Sequence, residues 1–324
     1  YPTKQKPSAR CRFCVRNVVS FAGEFCQKQR FQFYCNFAAN SHRMNRLKHW
    51  LLIPLAAGVL VSCNKPAATQ EQPQTTEFKF FSEQFADLQI LRYQIPGIEQ
   101  LTPKQKELVY YLYEAGLSGR DMIWDQHWKH NLTIRKTLEA ILTDYKGEKN
   151  AEYEQFLVYA KRVFFSNGVH HHYDNYKIIP ECSQEFVGKL IQATKPELLP
   201  LEGKSVEDFS KLVLGLMFDP KIAPLKINQN PKEDMVQTSA VHFYEGVSQK
   251  EVEQFYDKLI NKNDLQPISY GLNSTLVKKD GKLVEIPWKV GGMYSPAIEK
   301  VVYWLEKAIT VAETDLQKQA LQKL

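Results

Sequence analysis

Thr102-Pro-Lys-Gln-Lys-Glu-Leu-Val-Tyr-Tyr-Leu-Tyr-Glu-Ala115 reads as a helix from its first residue. Thr102 with Gln105 is the capping-box pairing, and Pro103 takes the first helical position, where a missing N–H costs nothing. Leu108, Tyr111, Leu112 and Ala115 then line one face. The same kind of start signal recurs further along. Ser205 with Asp208 precedes Phe209, Leu212, Val213 and Leu216, and Ser248 with Glu251 precedes Val252, Phe255, Tyr256 and Leu259. The apolar period predicts further helices over 132–145, 151–165 and 183–194. One region breaks the helical period: 268–277, then Asp280-Gly281, then 282–290 has the form of a β-hairpin, because Asp-Gly suits a type I′ turn between β-branched segments. Pro287 cannot donate to a ladder, which puts the second strand at an edge or a bulge. The expected class is therefore α+β, mainly helical with a small β-sheet or barrel element. Ser295 and Pro296 open a last helix with an apolar stripe through Ile298, Val301, Val302, Leu305, Ile309, Ala312 and Leu316, and no Gly or Pro stops it before Leu324. That stripe calls for a packing partner, and the expectation is of a polypeptide truncated at its C-terminus that leaves the stripe without one.

Charge and cysteine divide the chain unevenly. The whole chain of 324 residues carries +6, of which residues 1–43 account for +7 and residues 44–63 for +2, leaving −3 for residues 64–324. The body thus lacks the basic surface that nucleic-acid binding needs. Cys11, Cys14, Cys26, Cys35 and Cys63 all precede it, and Cys182 alone falls within it, so a disulfide framework is excluded there.

Residues 1–43 begin with Tyr1, show no sustained apolar period and read as unstructured, translated upstream sequence. The alternative is a thiolate zinc site from Cys11-x-x-Cys14 with Cys26 and Cys35, although the second pair is widely spaced and no regular element frames either pair. From Met44 the pattern changes. Arg46 and Lys48 precede the apolar run Trp50 to Val61, too short to span a bilayer stably, and the run ends in Leu60-Val61-Ser62-Cys63. Residues 44–62 read as a lipoprotein signal peptide, with Cys63 as the lipidated first residue of the mature chain. The alternative is a buried Cys after a transmembrane helix. Residues 63–76, rich in Pro, Gln and Thr, read as a flexible tether. This places the protein in the bacterial cell envelope, lipid-anchored at the outer membrane or facing the periplasm.

The most chemical stretch of the body is Phe165-Ser-Asn-Gly-Val-His-His-His-Tyr173. If extended, His170 and His172 project to one face and His171 to the other. Two imidazoles then share a side, with a third metal ligand available from His127, His130 or His242. The other reading makes His170, His171, His172 and Tyr173 the wall of a substrate cleft, hydrogen-bonding through neutral rings; Asn273 joins them as a cleft candidate. The expectation is that the run is not itself a zinc site, since no carboxylate or Cys cluster adjoins it to complete four ligands. Asp121 and Asp125 share a helical face and are read as a solvated pair flanked by Arg120 and Lys129. No Gly-rich phosphate loop, nucleophile elbow or H-E-x-x-H occurs.

Several blocks, taken in order, resemble the bacterial branch of the dipeptidyl peptidase III family. They are Phe85-Ala-Asp-Leu-Gln-Ile-Leu-Arg-Tyr-Gln-Ile-Pro-Gly97, Lys104-Gln-Lys-Glu-Leu-Val-Tyr-Tyr-Leu112, Gly119-Arg-Asp-Met-Ile-Trp-Asp125, Ser166-Asn-Gly-Val-His-His-His-Tyr173, Tyr270-Gly-Leu-Asn-Ser274 and Tyr303-Trp-Leu-Glu-Lys-Ala308. The resemblance covers nearly all of residues 77–324. It implies a zinc exopeptidase that releases dipeptides from the N-terminus of oligopeptides, with two lobes around a wide cleft, and these residues would form the first part of the lower lobe. It also implies zinc held by the two His of a HEXXGH helix and a downstream Glu, with the Glu of that motif activating water. None of those residues occurs in this chain, so the resemblance transfers no catalytic residue and no metal ligand, and the catalytic half is expected beyond it. The chain alone is accordingly expected to be inactive. The partners implied are an oligopeptide substrate, the membrane through the lipid, and the missing C-terminal half. The alternative function is a finished, non-catalytic, lipid-anchored peptide-binding module.

Overall fold

The structure, a computed structural model, describes residues 78–266 and 268–324. The leader with its possible thiolate site, the signal peptide, Cys63 and the tether lie outside them. The described residues fall in two compact units, one ending at Gln94 and one beginning at Ile95.

In the first unit, β1 (Phe81–Phe85) and β2 (Leu88–Leu91) pair antiparallel, with a register shift between Phe81 and Glu83. Leu88 and Ile90 are buried while Gln89 between them is exposed, the alternation of a strand with one wet face. The tight turn puts Ala86 at φ 46°. This hairpin is absent from the sequence expectations, because Ala86-Asp87 is not one of the glycine pairs that mark such turns.

The second unit is mostly helical. Its first helices are α1 (Pro103–Ser118), α2 (Arg120–His127), α3 (Asn131–Asp144), α4 (Ala151–Ser166), α5 (Gln184–Ala193), α6 (Val206–Phe218) and the short α7 (Met235–Thr238). Then come β3 (Tyr244–Glu245), α8 (Gln249–Asp257), β4 (Ser274–Lys279), β5 (Lys282–Pro287), α9 (Ser295–Thr310) and α10 (Asp315–Lys323). The α+β class is borne out. The predicted caps are in place. Thr102 Oγ1 accepts from the Gln105 N–H at 3.2 Å while the Gln105 side chain accepts from the Thr102 N–H at 3.0 Å. Ser248 and Glu251 make the same reciprocal pair at 3.3 and 2.9 Å. Ser205 caps α6 at 3.0 Å and Ser183 caps α5 at 3.1 Å.

The main core lies among α2 to α6. α3 turns Ile134, Leu138 and Ile141 inward, and α4 turns Phe156, Tyr159, Ala160 and Val163 toward the same centre, where Trp124, Val187, Phe209 and Met217 meet them. Each large apolar side chain buried here contributes about 1.5–3 kcal/mol. A second cluster joins Leu108 to Ala308 and Val311, and a third gathers Val247, Val252 and Leu276.

The hairpin takes the predicted turn, with Asp280 at φ 49° and Gly281 at φ 76°, both positive as type I′ requires. Strand order is β3-β4-β5, with β3 parallel and β5 antiparallel to β4. Pro287 closes β5 on the outside of the sheet, where no ladder hydrogen bond is asked of it. Two expectations need correction. β4 begins at Ser274, so 268–273 is not strand. The last helix is two helices: the chain leaves α9 after Thr310 and restarts with Thr314 capping the Gln317 N–H at 3.1 Å. α9 packs on α1, though through residues beside the predicted stripe, of which Val302 and Leu316 are exposed. Ala308 and Val311 pack on Leu108 and Tyr111 of α1, with Leu321 of α10 beside them. Among the described residues no helix is long and apolar enough to cross a membrane.

Candidate functional site

Asp121 and Asp125 stand one turn apart on α2 but meet different surroundings. Asp121 is half-exposed and pairs with Arg135 at 2.6 Å. The Asp125 side chain is only 15% exposed, which corrects the solvated-face reading for this residue. Its Oδ2 accepts from His242 Nδ1 at 2.9 Å and from the Tyr294 hydroxyl at 2.5 Å. Two distant segments thus converge on one carboxylate.

Each partner is fixed from behind. The His242 backbone N–H donates to the Gln126 carbonyl at 2.9 Å, which ties the segment before β3 to α2. Tyr294 caps α9 at φ 63°, a left-handed conformation that costs a bulky residue free energy, and its hydroxyl bond to Asp125 helps hold it there. Burial first, and then the Asp125 carboxylate, push the Tyr294 hydroxyl pKa well above the ordinary tyrosine value. The Tyr294 ring lies 5.6 Å from that of Trp288, whose Nε1 donates to Thr275 Oγ1 at 3.0 Å.

A carboxylate oxygen only accepts, so Nδ1 of His242 carries a proton. Nε2 lies 3.9 Å from Glu245 Oε2, and Oε1 of the same carboxylate takes the Lys129 ammonium at 2.9 Å. The Lys129 hydrogen bond is the main reason that Glu245 ionises below the usual carboxylate range. His242, Lys129 and Glu245 border a cavity of about 820 Å³, whose walls include Trp128, His130, Ile222 and Val236. Burial lowers the pKa of His130 there, with Lys129 adding to the effect. Asp125 thus holds the imidazole on one side and Glu245 faces it on the other, at the border of the cavity.

The histidine run lies elsewhere and is not extended throughout. His170 bridges to Lys177, after which the chain turns at His172 to Asp174. His170 is 2% exposed; its Nε2 donates to the Ala223 carbonyl at 2.8 Å, and its ring lies edge-on to Trp128. Burial lowers its pKa to about 4. His171 is buried, stacks on Tyr176, and accepts through Nδ1 from the backbone N–H groups of Tyr173 and Asp174 at 3.3 and 3.0 Å. The His172 ring sits 4.4 Å from that of His171, so the two do not point to opposite faces. Tyr173 is exposed, and so is Asn273, whose carbonyl accepts the Trp288 N–H at 2.8 Å. Cys63 lies outside the described residues.

The donors present do not fit the zinc that the family resemblance implies. His127 Nδ1 is engaged by the Asn167 carbonyl at 3.1 Å, and His170 and His171 are committed to backbone groups as above. Among the described residues no group of three or more His, Cys, Asp or Glu is placed to hold a metal ion.

Neither protein-family models nor curated proteins match the chain. Among solved structures it is similar to dipeptidyl peptidase III from Caldithrix abyssi, at 15% sequence identity and a TM-score of 0.41, over 71% of this chain and 31% of that one. The chain spans about a third of the length of that protein.

Proposed function

We propose that this chain is part of a zinc-dependent dipeptidyl peptidase that removes dipeptides from the N-terminus of oligopeptides, held at the bacterial cell envelope by a lipid on Cys63. The observation that carries this reading is that the sequence blocks resembling the family are packing partners. Lys104–Leu112 lies on Tyr303–Ala308, with Leu108 against Ala308 and Tyr111 stacked 5.9 Å from Trp304. Gly119–Asp125 is joined to Ser166–Tyr173 by Asn131, which is fully buried. Its Nδ2 donates to the Trp124 carbonyl and its Oδ1 accepts the Val169 N–H, both at 3.1 Å. Blocks that support one another in space form a shared scaffold, and a chance set of short matches has no reason to do so.

When bound, the zinc supplies a polarised carbonyl and an activated water. Its ligands are not among the described residues, and these residues contribute scaffold and cleft surface. The test has two parts. The coding sequence read in frame past Leu324 is expected to contain HEXXGH. Protein extended through that segment is expected to hydrolyse a dipeptidyl-naphthylamide and to stop when zinc is chelated, while residues 64–324 alone are expected to be inactive. Chelator-sensitive hydrolysis by residues 64–324 alone would sink this division of labour. Inactivity of both, with peptide still bound, would favour the non-catalytic binding module.

A further inference from the structure

We propose that the cavity bordered by Trp128, His130 and Lys221 binds a small organic anion, a carboxylate or phosphate carried on an apolar body, through the Lys221 ammonium and the His130 ring. This goes beyond the peptidase reading and does not depend on it. The acids on the cavity wall already hold donors. Glu233 takes the Asn228 side-chain amide on one oxygen at 2.6 Å and the Asn230 amide on the other at 2.9 Å. Glu245 takes the Lys129 ammonium at 2.9 Å, and His242 Nε2 stands 3.9 Å from its second oxygen. A cation entering the cavity therefore meets only carboxylates that are already served. The donors on the same wall are in the opposite condition. Among the described residues the Lys221 ammonium and the Gln237 amide have no hydrogen-bond or ion-pair partner. The His130 ring precedes α3 without capping it and sits edge-on to Trp128 at 5.0 Å. Burial, and then Lys129, favour its neutral form, which still has one N–H to donate. Donors of this kind are best matched by a charged oxygen acceptor, whose hydrogen bonds are roughly twice as strong as those of a neutral one. Trp128, Ile222, Val236 and Val247 supply apolar surface for the rest of the ligand. The volume of about 820 Å³ falls within the range of roughly 300–1,000 Å³ usual for small-molecule sites.

Calorimetric titration of the full chain at pH 7 tests this with three probes that share one ring: phenylacetate, phenyl phosphate and the uncharged phenylacetamide. At least one of the two anions is expected to bind, about tenfold or more tighter than the amide. The tighter of the two tells whether the site is built for a carboxylate or a phosphate. Lys221→Met, at an exposed position that the fold does not depend on, should weaken that anion about fivefold or more. Glu245→Gln should tighten it roughly two- to fivefold, because it removes a negative charge from the wall and releases Lys129. A gain in affinity cannot come from misfolding, so it protects the test against a damaged Lys221 variant. Absence of binding by both anions, equal binding by the amide, no loss in Lys221→Met, or no gain in Glu245→Gln would overturn the proposal. Because the measurement needs neither zinc nor turnover, its failure leaves the peptidase reading standing, and failure of the peptidase test leaves this site standing.

Discussion

His170 shows what a single residue can and cannot say in advance. Its place in a run of three imidazoles drew a metal or cleft reading, yet the ring is a core element, packed near Trp128 and bonded to the Ala223 carbonyl. With its pKa lowered to about 4 by burial, it stays neutral in the folded chain at pH values where the unfolded chain, near 6.5, takes up a proton. Stability from this residue is therefore fully present above about pH 6.5 and is lost as pH falls toward 4, by up to about 3 kcal/mol. Urea unfolding of the wild type and of His170→Gln at pH 7 and pH 4.5 checks this: the gap between the two proteins should narrow at the lower pH. A constant gap would show that the ring titrates alike in both states. Asp125 was the opposite case. Local spacing, with Arg120 and Lys129 nearby, reads as a solvated acid, and its true partners His242 and Tyr294 stand 117 and 169 positions away. A pairing at that separation leaves no mark in a window of one or two helical turns.

At the scale of elements, local chemistry was legible wherever it decides the outcome. The capping residues Thr102, Ser183, Ser205 and Ser248 each hold the N–H three positions on, as side-chain geometry dictates. The break between α9 and α10 was missed although Thr314 with Gln317 is a capping-box spacing; in the structure Thr314 caps the Gln317 N–H while Gln317 accepts from the neighbouring Glu313 N–H. The stripe across the break kept its apolar period and masked the signal. The two hairpins make the rule quantitative with opposite signs. Gly281 sits at φ 76° with nothing within 4 Å of where a Cβ would be, so Gly281→Ala meets no clash and bears only the left-handed penalty, about 1–2 kcal/mol. Ala86 at φ 46° already bears such a penalty, so Ala86→Gly should stabilise by roughly 0.5 kcal/mol after the added freedom of the unfolded chain is subtracted. Thermal melts of the two variants should move in opposite directions, and a shift in the same direction would contradict this account of the turns.

For the whole molecule, the body and the proposed signal segment make separate demands. The order of basic segment, apolar run and Leu60-Val61-Ser62-Cys63 predicts that Cys63→Ala, expressed in export-competent bacteria, is released from membranes or left unprocessed. Unchanged mass and fractionation would remove the lipoprotein proposal. Within the unit from Ile95 on, the main core of α2 to α6 and the smaller Leu108–Ala308–Val311 cluster are separate apolar bodies, so the links between them need another source. Asp125 is one, because it extends from α2 beside buried Trp124 to Tyr294, the residue that starts α9. Asp125→Ala removes a charged acceptor from two donors and should cost about 1.5–3 kcal/mol. The loss should be local before it is global, since Tyr294 is held at positive φ and relaxes most easily once its hydroxyl is released. Hydrogen exchange should accordingly quicken in the first turn of α9 while the amides of α4, buried around Phe156 and Val163, keep their protection. If both helices quickened alike, Asp125 would be a contributor to overall stability rather than the tie between α2 and α9.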